Sequence, residues 1–291
     1  MNTNFIIMGL PSSGKTTFLA ALWHLVEANE VKCRLKFESC HGNFSYLHQI
    51  AEAWRTFRRV PRTSQTGEQD VIIELINPDT GEKARAFFPD LAGETFDRQV
   101  EERICKPAFV EELSKNNGIL FFINADVKED VLSIGELNAR LPTEAQTPST
   151  AAGEDSHKES AKIQEWEPKH LPAQVKIVQL FSDMVRPPFE PMRRRVAVMI
   201  SAWDLTREMQ LTPGQWLAIH MPLVSQFLRS NHEYFDYQIY GVSAQGMRLE
   251  DDQAVDRVLH DLPSRRIQIV GPDEDSNDLT EPLVWLMSEK E

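Results

Sequence analysis

At 291 residues, with 41% hydrophobic and 26% charged residues, the chain has the makeup of a globular protein long enough to bury a substantial core. A formal net charge of −13 argues against non-specific binding to nucleic acid or anionic lipid. Three cysteines, Cys33, Cys40 and Cys105, with no CxxC pair among them, suit a reducing cytosol and exclude a disulfide framework.

Phe5–Met8 is a continuous apolar run, as expected of a strand buried on both faces in a parallel sheet. It ends at Gly9, and Lys15–Val26 resumes with helical apolar spacing. Arg34–Glu38 is a candidate extra strand and Phe44–Phe57 a helix; Val60–Gln69, rich in Pro, Thr, Ser, Gly and Gln, reads as a mobile loop. Val71–Ile76 and Lys83–Phe88 flank Asn77-Pro-Asp-Thr-Gly81, whose turn chemistry predicts an antiparallel hairpin. Phe96–Leu113 reads as helical, with Pro107 starting or kinking a turn. Gly118–Asn124 is another buried strand, followed by a helical pattern to about Arg140.

Residues 141–170 change character, to Pro, Thr, Ser, Ala, Glu and Lys with few large apolar side chains, and are expected to be a flexible insertion. Leu171–Val185 (helix), Val196–Ile200 (strand), Trp216–Leu228 (helix), Tyr237–Val242 (strand), the acidic loop Asp273–Asp278 and a closing helix Glu281–Met287 complete the chain. The alternation of strand and helix predicts one α/β domain over residues 1–291 with a mainly parallel sheet. No signal peptide precedes Phe5, the longest apolar run (Ile119–Ile123) is too short to cross a bilayer, and Asn2 excludes N-myristoylation, so a cytoplasmic location without a transmembrane segment is expected.

Gly9-Leu-Pro-Ser-Ser-Gly-Lys-Thr16 matches G-x-x-x-x-G-K-[ST] at every fixed position. Gly9 and Gly14 allow the backbone to turn several N–H groups onto an anion, and the helix that follows adds its N-terminal dipole. Lys15 supplies a point charge for the β- and γ-phosphates, and the Thr16 hydroxyl is a hard oxygen ligand for Mg²⁺. Ser12, Ser13 and Thr17 complete the nucleotide-binding stretch. Asp90, at the end of the strand reaching Phe88, is the candidate second metal-linked group.

Asp90-Leu-Ala-Gly93-Glu94 resembles the D-x-x-G segment of the translation-factor-like, Ras-like class of P-loop GTPases (TRAFAC). The resemblance implies a three-layer Ras-like fold with one antiparallel strand and a Gly93 N–H that senses the γ-phosphate. It places a first switch in Arg62–Thr66, with Thr63 reaching Mg²⁺ (Thr66 second), and Glu94 where many members carry a water-orienting Gln. Ser201-Ala-Trp-Asp204 stands where this class has N-K-x-D, so Asp204 would recognise guanine, and Ser243-Ala-Gln-Gly246 resembles the S-A-[KL] loop, with Ala244 N–H meeting the base. Ala202 and Ser201 depart from the Lys and the loop-bracing Asn of that motif and weigh against guanine.

The wording Asp-x-Ala-Gly-Glu and the closing Thr280–Trp285 are similar to the bacterial double-GTPase subgroup of conflict and defence systems. That similarity implies a GTP/GDP switch with Mg²⁺, coupled to an effector or a second GTPase. Glu94 adds negative charge beside the γ-phosphate, which implies slow intrinsic hydrolysis aided by an arginine; Arg55, Arg58, Arg59 and Arg62 are candidates, or a solvated helix face. An ATP-using phosphotransferase and a non-hydrolysing nucleotide-binding module are the competing readings. Trp23, Trp54 and Trp216 are expected in the core, Trp203 beside the base, Arg193–Arg195 at a solvated strand entry, and Cys33, Cys40 and His41 in packing or surface roles.

Overall fold

In the computed structural model the described residues are 2–60, 70–89, 94–116, 118–126, 167–168, 171–249, 251–258, 260–272 and 275–288. Their strands form one nine-stranded sheet ordered β2-β3-β4-β1-β5-β6-β7-β8-β9. These are β1 (Asn2–Gly9), β2 (Lys36–His41), β3 (Val71–Ile76), β4 (Lys83–Phe88), β5 (Gly118–Asn124), β6 (Arg194–Ser201), β7 (Phe235–Ser243), β8 (Gln268–Val270) and β9 (Asp275–Ser276). The central strands β4, β1, β5, β6 and β7 are parallel, and β3 is antiparallel to both its neighbours. The expected hairpin therefore forms, running from Val71 opposite Phe88 to Ile76 opposite Lys83. Its turn is held by Asn77 Oδ1, which accepts from the N–H groups of Asp79 and Thr80, and by Gly81 at φ 73°. Beyond β7 the short β8 also runs antiparallel to its neighbours, an edge extension too brief to show as a sequence period.

Alternate residues of each central strand feed two cores. Phe5 and Ile7 of β1 point into the core beneath α1 (Lys15–Ala28), α2 (Phe44–Arg55) and the C-terminal helix Glu281–Met287. Ile6 and Met8 point into the core beneath α3 (Glu94–Glu101), α4 (Pro107–Lys115), α5 (Ala173–Asp183), α6 (Pro213–His220) and α7 (Pro222–Ser230). The chain is thus an α/β three-layer sandwich, and burial on both faces is why its central strands read as unbroken apolar runs.

Two expected helices are each divided. Phe96–Leu113 is split into α3 and α4, with Arg103 at φ 58° between them and Pro107 in the first turn of α4. Trp216–Leu228 is split into α6 and α7, because Pro222 forces Met221 out of helical geometry (φ −130°, ψ 55°). Thr212 and Gln215 close a capping box that starts α6. After α7 come α8 (Asp252–Val258) and α9, the closing helix Glu281–Met287.

The expected strand Arg34–Glu38 is shifted to Lys36–His41. Arg194 is not at a solvated strand entry: it is fully buried, and its guanidinium donates to the carbonyls of Glu190, Met192 and Leu113. Burial pushes its pKa down to about 10. The helical pattern beyond Asp126 and the insertion expected over 141–170 lie outside the described residues, apart from Glu167 and Pro168. Among the described residues, no helix is long and apolar enough to cross a membrane.

Candidate functional site

Because the central strands are parallel, their C-terminal ends share one edge of the sheet, and the sequence candidates of the Gly9–Thr16 loop, Asp204, Ser243 and Ala244 gather there. Gly9 ends β1, and the loop to α1 turns through Ser12 (φ 60°) and Gly14 (φ 90°). A side chain cannot be added to this loop at its glycines. A Cβ at Gly9 would stand 2.7 Å from the Phe122 carbonyl oxygen and from Ser13 Oγ; one at Gly14 would stand 2.7 Å from Ser201 Cβ and Oγ. No side chain caps the N-terminus of α1 and no acidic residue lies in its first turn, so its N–H groups and dipole face the loop.

Two side chains brace the loop from behind. Asn124, at the end of β5, donates from Nδ2 to the Ser12 carbonyl at 2.9 Å. Ser201, its register partner on β6, donates from Oγ to the Ser13 carbonyl at 2.8 Å. Ser201 therefore braces the loop itself, although the sequence motif has Asn at this place. Asn124 was not singled out from the sequence; the available signal was a polar residue closing an otherwise apolar strand.

Lys15 is buried with its ammonium inside the loop, donating to the carbonyls of Gly9 (2.7 Å) and Leu10 (2.8 Å) and to Ser13 Oγ (3.2 Å). Burial lowers its pKa to about 7, opposed by the Asp97 carboxylate of α3. A backbone cradle backed closely by two strands, with a desolvated ammonium inside it, fits a chain of phosphates. Thr16, in the first turn of α1, offers a hydroxyl of the hard oxygen type that Mg²⁺ takes. Thr63, Thr66, Asp90 and Gly93 lie outside the described residues. Glu94 is the first residue of α3; its side chain lies outside them too.

The base-recognition candidates meet one strand further on. Ala202 adopts φ 53° and starts the 3₁₀ helix Trp203–Met209, which carries Asp204. Ser243, fully buried at the end of β7, donates from Oγ to Asp204 Oδ1 at 2.6 Å, so the two motifs are joined directly. Ala244 follows Ser243, and its carbonyl accepts from Trp54 Nε1 of α2 at 2.9 Å. Arg266 stacks on Trp54, its guanidinium 4.1 Å from the ring centroid. No local sequence signal separates Trp54 from any other core tryptophan.

Trp203, expected beside the base, packs into the core. It is buried, its ring lies where a Cβ on Gly241 would come within 2.4 Å, and it meets Trp216 edge-on at 6.5 Å. The expected core positions of Trp23, Trp54 and Trp216 are as anticipated. Arg55 and Arg58 are exposed and face Glu52 at 2.6 and 3.9 Å; Arg62 lies outside the described residues.

A family model described as Double-GTPase 1 matches residues 6–286. Among solved structures, the chain is similar to the Ski7 GTPase-like domain of S. cerevisiae bound to GTP, at 10% identity and a TM-score of 0.40, over 84% of this chain and 43% of that one. It is similar to the bacterial selenocysteine-specific elongation factor EF-Sec at 13% identity and 0.37, over 89% and 29%. It is also similar to a variant of Aquifex aeolicus Era bound to GDP·AlF4⁻ at 15% identity and 0.35, over 90% and 57%. The chain thus spans less than two thirds of the length of each of these. No curated protein matches it.

Proposed function

The chain belongs to the Double-GTPase 1 family, and from that premise we propose that it binds Mg²⁺–GTP in the Gly9–Thr16 loop and hydrolyses it to GDP as a single-domain molecular switch. The observation that carries this reading is the braced loop: Ser201 and Asn124 hold consecutive loop carbonyls while Lys15 lies inside. Gly9, Ser12, Ser13, Gly14 and Thr17 bind the phosphates with main-chain and hydroxyl groups, and Lys15 neutralises charge on the β- and γ-phosphates. Mg²⁺, held by Thr16 with Thr63 and Asp90, would supply further charge neutralisation there. Gly93 senses the γ-phosphate, and Glu94 accepts from the attacking water. Asp204, oriented by Ser243, accepts from guanine N1–H and the exocyclic amine, with Ala244 N–H meeting the base oxygen; adenine lacks this pattern, and such a mismatch is rejected by about 10⁴-fold.

Coupling to an effector or a second GTPase, without direct nucleic-acid contact, and a setting in bacterial defence follow from the resemblance to double-GTPase proteins. The test is titration of the purified chain with labelled GTP, GDP and ATP, with and without Mg²⁺, in wild type, Lys15→Ala and Asp204→Asn. Guanine-selective binding lost in Lys15→Ala and shifted away from guanine in Asp204→Asn supports the reading. Equal binding of ATP and GTP, unaffected by Asp204→Asn, overturns it in favour of an ATP-using phosphotransferase.

A further inference from the structure

We propose that Lys176 is a positioning residue of the hydrolysis site: by gripping Asp97 and Glu101 on one face of α3, it fixes that helix against the phosphate-binding loop. The inference rests on the functional reading above, in which α3 begins directly after the γ-phosphate-sensing segment. Lysine is rarely buried unless paired, and Lys176 of α5 is buried with its ammonium 3.1 Å from Asp97 Oδ1 and 2.7 Å from Glu101 Oε1. The two carboxylates are one helical turn apart and so share a face. Burial alone would lower the Lys176 pKa, but the hydrogen bonds it donates to Glu101 and Asp97 hold it above the ordinary lysine value.

Asp97 looks two ways. Besides accepting from Lys176, its charge opposes the lowering of the Lys15 pKa by burial, so one carboxylate acts on both lysines. The apolar side of α3 is held separately: Phe96 is fully buried and meets Phe109 edge-on at 5.6 Å. α5 is itself fixed to the sheet through Phe181 on Phe121, with ring centroids 4.6 Å apart. Lys176 thus ties α3 to a rigid support through carboxylates at both its first turn and its last residue. A second link to α5, from Arg103 just past the C-terminal end of α3 to both oxygens of Asp183 at 2.9 and 2.8 Å, touches neither Asp97 nor Lys15. It is the control: an ion pair to α5 from the segment just after α3 that leaves the Asp97 and Glu101 carboxylates untouched.

The experiment uses the full chain as wild type, Lys176→Met, Lys176→Arg and Arg103→Gln, and reads single-turnover GTP hydrolysis, labelled-GDP affinity and amide exchange over residues 94–101. Misplacing a catalytic element by about 1 Å costs roughly 100-fold in rate, so Lys176→Met should slow hydrolysis by roughly 10- to 100-fold. GDP affinity should stay within about 3-fold, the signature of a group that matters for the reaction rather than for uniform binding. Lys176→Arg should recover most of the rate, and Arg103→Gln should leave it unchanged. Exchange should rise in the first turn of α3 only in Lys176→Met. Equal effects of Lys176→Met and Arg103→Gln on rate, or an exchange pattern in Lys176→Met identical to wild type, overturn the proposal. A wild-type chain that does not hydrolyse GTP defeats the functional reading instead, and the exchange arm still decides whether Lys176 positions α3.

Discussion

Removing the Ser201 hydroxyl should cost this protein more than removing the Asn124 amide, although both side chains hold the same loop. Ser201 Oγ donates to the Ser13 carbonyl within buried surroundings, whereas the Asn124 Nδ2 bond to the Ser12 carbonyl is solvent-accessible. In Ser201→Ala the Ser13 acceptor is left without a donor, and an unsatisfied buried acceptor costs about 1–3 kcal/mol. In Asn124→Ala water takes the place of the amide, so the loss should be about 0.5–1 kcal/mol. Either loss also weakens the nucleotide-ready loop, and each 1.4 kcal/mol or so of lost bracing corresponds to roughly tenfold in affinity. Denaturant unfolding followed by tryptophan fluorescence gives the stability difference, and labelled-GDP titration gives the affinity. Because the two acceptors are adjacent, the double variant should depart from additivity. A Ser201→Ala protein no less stable than Asn124→Ala, or one that binds GDP as wild type does, would refute the bracing argument.

Gly241→Ala places a methyl group against the Trp203 ring at 2.4 Å, and overpacking of this kind costs about 1–3 kcal/mol; the displaced 3₁₀ helix carries Asp204, so guanine selectivity should fall with stability, and a variant with unchanged melting and selectivity contradicts this. Trp54→Phe keeps an aromatic ring beneath Arg266 but frees the buried Ala244 carbonyl, so thermal stability should drop by about 1–3 kcal/mol and guanine-nucleotide affinity should weaken while the triphosphate contribution, measured with inorganic triphosphate, stays constant. Burial raises the thiols from the ordinary 9.0 to about 12 for Cys33, helped by Asp278, and to about 11 for Cys40 and for Cys105, the last helped by Asp183. An unfolded chain therefore releases thiol protons from about pH 9 while the folded chain keeps them to about pH 11, so stability should decline as pH rises through that window. Urea midpoints across that window should fall more steeply for wild type than for a Cys33→Ala, Cys40→Ala, Cys105→Ala variant; equal slopes would count against it.

The phosphate loop and the central sheet are written in local residue patterns. Gly9, Gly14, Lys15 and Thr16 are legible because backbone geometry and phosphate charge demand those residue types at fixed spacing in a single short segment. The β3–β4 hairpin is legible because its turn residues act locally. The break between α6 and α7 is not legible in the apolar spacing, which runs on through Pro222 although that residue bars its predecessor from a helix.

Contacts that cross between strands are fixed by packing, not by local pattern. Ser201 reads in sequence as a defective Asn and in the fold as a donor to Ser13, 188 positions away. Trp203 has no core signal in its sequence neighbourhood, yet it is buried, because Gly241 on the next strand opens the space for its ring. Arg194 reads as solvated and is buried, because strand alternation turns it inward beneath carbonyls of α4 and the loop before β6. Lys176 carries no motif at all, and its meaning comes from two carboxylates on a helix 75 and 79 residues earlier. Local conformation follows from each residue and its immediate neighbours; the pairing of buried polar groups depends on which distant segment packs against them, and a sequence period does not encode that.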